Sequence, residues 1–129
     1  MNFECESKAP ISAPNDAQIR RAIGGLKSYG KSTFASITDE QGNYVQVLGG
    51  GVTCLLEYFN AETKVRLRGV TGVRNHVFPD GTVLVVRGQH IPMQSDEWFR
   101  SDQVADVFCA FRARRAFPFD VRWRPAPGF

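Results

Sequence analysis

Gln41-Gly42-Asn43-Tyr44-Val45-Gln46-Val47-Leu48-Gly49-Gly50-Gly51-Val52-Thr53-Cys54-Leu55-Leu56-Glu57-Tyr58-Phe59 is the stretch that decides the fold. Apolar and polar residues alternate through Tyr44–Leu48 and, less strictly, after the triple glycine, and a period of two marks strands with one buried face. Glycine accepts positive φ, so Gly49-Gly50 predicts a two-residue turn between a strand at 44–48 and one at 52–59. Working outward, a strand at 33–38 enters through the turn Asp39-Glu40-Gln41-Gly42. Asn60-Ala61-Glu62-Thr63 then turns the chain into a strand at 64–70. The pattern predicts a four-stranded antiparallel meander.

Register follows from the turns. A turn at Gly49-Gly50 sets Val47 opposite Val52 and Val45 opposite Cys54. A four-residue loop at 60–63 sets Tyr58 opposite Val65 and Leu56 opposite Leu67. One face then collects Ala35, Ile37, Val45, Val47, Val52, Cys54, Leu56, Tyr58, Val65 and Leu67, and a one-residue slip would destroy that segregation. The other face carries Tyr44, Gln46, Leu48, Leu55, Glu57, Phe59, Lys64, Arg66 and Arg68, with Glu57 set against Arg66. Aromatic and arginine side chains among polar ones suit a partner-binding surface. Cover by a helix or loop is the alternative, and both stay open.

The flanks supply the helices. Asn15 caps a helix with Gln18 three residues on, and Ile19, Ile23 and Leu26 form its apolar stripe. Residues 1–13 lack periodicity and predict a flexible lead-in arm. The run 83–87, Val-Leu-Val-Val-Arg, is apolar on both sides and predicts a strand covered on both faces. Residues 91–100 hold Pro92 and, at 96–99, one turn of helix. A second helix starts at Ser101, with Val104, Val107, Phe108 and Phe111 on one stripe and Arg112, Arg114 and Arg115 near its end. Pro118 stops it, and Phe119, Val121 and Trp123 alternate with charged residues in a closing strand. The fold class is α+β: an antiparallel meander with an N-terminal helix and a C-terminal helix followed by a closing strand.

Composition narrows the function. A length of 129 residues fits one domain, 1–129, and 43% hydrophobic residues suffice for a core. No apolar run nears the roughly 20 residues of a membrane span, and the acidic start has no signal-peptide core, so a cytoplasmic protein is expected. Cys5, Cys54 and Cys109 are odd in number and far apart, which argues against disulfides and against a zinc site. His76 and His90 lie in no metal-ligand pattern, and the triple glycine precedes a strand rather than a phosphate-binding helix. No nucleophile, base and orienter can be assembled. The expectation is a non-catalytic protein with no cofactor and no metal.

The hairpin from Gln41 to Gly51, running on through Leu56-Glu57-Tyr58, resembles the "G-N-Y-x-Q-V-x-G-G" pattern of small bacterial immunity proteins. These neutralise toxins delivered by contact-dependent or type VI secretion. Phe108 and Phe111 on the last helix, then Pro118 and Trp123, resemble the same proteins, so the likeness spans roughly residues 15–68 and 101–124. It implies a cytoplasmic inhibitor of a cognate toxin domain and carries no toxin-binding residue over by motif. The outer face supplies the candidates: Tyr44, Leu55, Glu57, Phe59, Arg66 and Arg68, with Trp98 in the loop before the last helix. A net charge of +3 favours an acidic toxin surface over a basic one. The alternative is a small basic-sheet nucleic-acid-binding module built on Lys64, Arg66 and Arg68 with Tyr44 and Phe59, against which Glu57 and Gln46 count.

Overall fold

The computed structural model describes residues 1–127. In chain order the elements are β1 (Asn2–Cys5), β2 (Ile11–Ser12), α1 (Asp16–Gly24), β3 (Phe34–Thr38), β4 (Tyr44–Gly50) and β5 (Thr53–Asn60). They continue with β6 (Val65–Val70), β7 (Thr82–Val86), β8 (Gln89–Met93), α2 (Ser101–Arg112) and β9 (Arg122–Pro125). Seven strands form one antiparallel sheet in the order β2-β1-β3-β4-β5-β6-β9, and β7 and β8 form a separate hairpin. The α+β class, the meander, both helices and the closing strand stand as the sequence predicts.

The helices lie on the face that the alternation marked as apolar. Ile19 and Ile23 of α1 and Val104, Val107 and Phe108 of α2 are buried against Ala35, Ile37, Val45, Val47, Cys54 and Leu56. Asn15 closes its capping box, its Oδ1 accepting from Gln18 N at 2.8 Å while its own N–H donates to Gln18 Oε1 at 2.9 Å. Tyr58 packs edge-on against Phe111 and Phe117 and leans on Trp123, so an aromatic cluster joins the end of α2 to β9.

The turn after β4 differs from expectation by two residues. Gly50 pairs with Thr53, so Gly51 and Val52 make the turn, and Val47 faces Leu56 rather than Val52. The shift in pairing is even, so every strand residue keeps its face; only Val52, now in the turn, is exposed. The reason is a close approach: a Cβ at Gly50 would sit 2.0 Å from the carbonyl oxygen of Leu26, which holds Gly50 inside the strand against the chain after α1. The loop after β5 shifts its pairing by two, again an even number. Glu57 faces Arg68, Arg66 faces Phe59, and Val65 is exposed at the strand's start.

Three further expectations need correction. Residues 1–13 are not a free arm: β1 pairs with β3, and Phe3 and Cys5 are in the core. Residues 96–99 form no turn of helix, and Pro92 lies within β8. The run 83–87 is not covered on both faces, since Val83 and Val85 are exposed while Leu84 and Val86 are buried.

Candidate interaction surface

The hairpin β7–β8 lies across the outer face of the sheet like a strap. Leu84, Val86 and Met93 form a second apolar cluster with Leu55 and Trp98, against which Leu48, Phe78 and Ile91 pack. At its tip, Arg87 meets the Glu6 carboxylate at 2.6 Å. Glu6 also accepts from the N–H and hydroxyl of Thr33 at 2.8 Å, and these bonds, then Arg87, hold its carboxyl below the usual range.

The seven candidate residues, six on the outer face and Trp98 before α2, divide into buried and partly open. Leu55, Glu57, Arg68 and Trp98 are buried, so of the two alternatives left open, an exposed partner surface or a covered one, this part of the face is covered. Arg68 is only 2% exposed. Its guanidinium lies 3.6 Å from Glu57 Oε2 and 3.4 Å from Glu97 Oε1. Gln46 Nε2 donates to Glu57 Oε1 at 2.9 Å, and Gln94 N donates to Glu97 Oε1 at 2.6 Å. Arg124 closes the network, its Nη2 reaching Asp96 Oδ1 at 2.9 Å and Glu97 Oε2 at 3.0 Å, bonds that raise its pKa. Glu57 Oε2, Arg68 Nε and Trp98 Nε1 are buried with no hydrogen-bond partner among the described residues. Trp98 instead packs its ring 4.5 Å from that of Phe78.

Tyr44, Phe59 and Arg66 remain partly open. Tyr44 and Phe59 are cross-strand partners whose rings stack at 5.0 Å with planes 18° apart. Arg66 is the partner of Phe59 on β6, with its Nε 3.9 Å from Glu57 and its Nη2 donating to the carbonyl of Pro127 at 3.4 Å. The basic row Lys64, Arg66 and Arg68 is thus interrupted, because Arg68 faces two acids in the interior. The sequence did not single out Glu97, Asp96 or Arg124. Their signal was the acidic pair before Trp98 and an arginine at outward parity on the closing strand.

The groups that could do chemistry do not converge on one place: Cys54 lies on β5 and His90 on β8. All three thiols are buried, and burial pushes Cys54 up to about 12. His76 and His90 are exposed. Among the described residues, no three His, Cys, Asp or Glu side chains gather to hold a metal ion, and no helix is long and apolar enough to cross a membrane.

Comparison of the chain with models of known protein families, with curated proteins and with solved structures returns no match.

Proposed function

We propose that this chain is a non-catalytic binding protein, an immunity protein that inhibits a cognate secreted toxin domain in the cytoplasm of the cell that makes both. The observation that carries this reading is the stacked Tyr44–Phe59 pair with Arg66 beside it, at the end of the outer face that the strap leaves open. Aromatic and arginine side chains dominate the energetics of protein interfaces, because they bury large areas at low entropic cost and still offer polar contacts. Here they stand on paired strands in a fixed register, so the platform is organised before it meets a partner.

The resembling hairpin residues support the fold behind that reading. Gly42 has φ of +89°, and Asn43 Nδ2 donates to Asp39 while its Oδ1 accepts from the N–H of Ala61. These contacts fix the two turns that flank Tyr44 and Phe59. The test is co-expression with the toxin domain encoded in the neighbouring reading frame. Cells are expected to survive only when this chain is present, and to lose protection when Tyr44 and Phe59 are both changed to Ala. Death in the presence of the wild-type chain, with no complex recovered, would overturn the proposal.

A further inference from the structure

The strap has a free edge with the means to recognise itself. Arg87 and Gly88, with φ of +50° and +76°, form a two-residue turn that makes Val86 and Gln89 a hydrogen-bonded pair. Pairs alternate along an antiparallel ladder, so Leu84 and Ile91 bond as well, whereas Val83–Pro92 and Val85–His90 do not. Pro92 fits that parity, since its missing N–H would point away from β7. The N–H and C=O groups of Val83 and Val85 therefore face outward from the hairpin, and among the described residues nothing accepts from or donates to them. Their side chains are 44% and 52% exposed.

Natural edge strands are normally blunted by charge, proline or a bulge that turns the edge away. On β8, Pro92 does this. Thr82-Val83-Leu84-Val85-Val86 carries no charge and no proline. The geometry points to β7 as a contact between two copies of this chain, paired antiparallel about a two-fold axis at Leu84. Val83-Leu84-Val85 reads the same in both directions, so Val83 of each copy meets Val85 of the other as a bonded pair. In that register Asp80 of one copy falls within one step of Arg87 of the other, on both sides of the axis. Asp80, beside Arg74, and Arg87, on Glu6, keep exposed side chains, so opposite charges stand near each end of the ladder. The product is a four-stranded sheet from two hairpins.

Sedimentation and light scattering of the purified chain, from about 1 µM to about 1 mM, test this by mass action. The expected result is a concentration-dependent dimer that Val85→Lys and Val83→Pro abolish without changing the circular dichroism. Val65→Lys, placed on an exposed residue of β6, is expected to leave it intact. The wild-type chain gives a second readout that needs no variant: the amides of Val83 and Val85 should exchange about 10-fold or more slower at the dimeric concentration. A monomer throughout the range overturns the proposal, and so does a dimer that survives both β7 substitutions. Concentration-independent exchange at these two amides does the same. Binding of an extended peptide to β7 of a chain that stays monomeric would show a strand-addition site for another protein instead.

Discussion

Arg68 shows how far one residue can depart from what its sequence position suggests. Its alternation marks it as outward, and it is outward, yet it is buried, with the Glu97 carboxylate of the segment before α2 set against its guanidinium. Truncating one member of a buried ion network leaves the others uncompensated, which typically costs about 3–5 kcal/mol. Arg68→Ala is therefore expected to lower the free energy of unfolding in urea by about that much, because Glu57 and Glu97 would be left buried without it. Arg124→Ala should cost less, since Arg124 is partly open to water, which screens its pairs. Cys54 makes the second expectation. Its thiol is neutral in the folded chain up to about 12, against 9.0 for an unperturbed thiol. The folded state thus holds a proton that the unfolded chain releases first, so this contribution is complete below 9.0 and fades as pH rises towards about 12. At pH 8 Cys54 should resist a disulfide reagent in the native protein and react only after denaturant is added, which a colorimetric thiol assay would read directly.

Among the elements, legibility tracked how local the stabilising partner is. Both helices, β3 to β6 and β9 carry their own signals: caps, turns and a single period, each contained within one segment. β1 carries none, because Phe3 and Cys5 become apolar-face residues only once β3 lies beside them. The strap is the instructive failure. Val83 to Val86 reads as a fully covered strand, since four apolar residues in a row hide which face is wet. The turn that defines the hairpin, Arg87-Gly88, needs a positive φ at an arginine, which composition does not announce. Missing β8 meant missing the cover over Leu55 and Trp98, and Glu97, which closes on Arg68, lies far along the chain, so the candidate surface was legible only at Tyr44, Phe59 and Arg66. The turn after β4 belongs to the same scale. Gly50→Ala would force a Cβ to within 2.0 Å of a backbone oxygen of the segment after α1. A backbone atom cannot swing aside as a side chain can, so the substitution should destabilise by about 1–3 kcal/mol or more. Gly51→Ala has open space around its Cβ and should cost less, its strain coming from φ of +65° alone, and thermal melts of the two variants would separate the effects.

On the scale of the whole molecule, the sheet has two differently employed faces. The helices cover one; on the other the strap packs over Leu48, Leu55 and Trp98, and Arg68 is buried between Glu57 and Glu97. What stays accessible on the outer face is a fixed aromatic pair with an arginine, and at the strap's margin an uncharged strand edge. The net charge of +3 is spread among ion pairs that include Arg20–Asp106, Arg112–Asp16 and Arg124–Asp96, so it gives no single basic stripe. A protein partner anchored on aromatic side chains should accordingly bind with a shallow dependence on salt, whereas a nucleic acid would lose affinity steeply and log-linearly. Titration calorimetry with the toxin domain that the proposed function calls for puts this to the most direct test. The account expects a tight complex with the wild-type chain, little changed between low and high salt. It expects the Tyr44→Ala, Phe59→Ala double variant to bind about 100-fold or more weakly while remaining folded. No heat of binding from that domain, together with oligonucleotide binding that collapses as salt is raised, would contradict it.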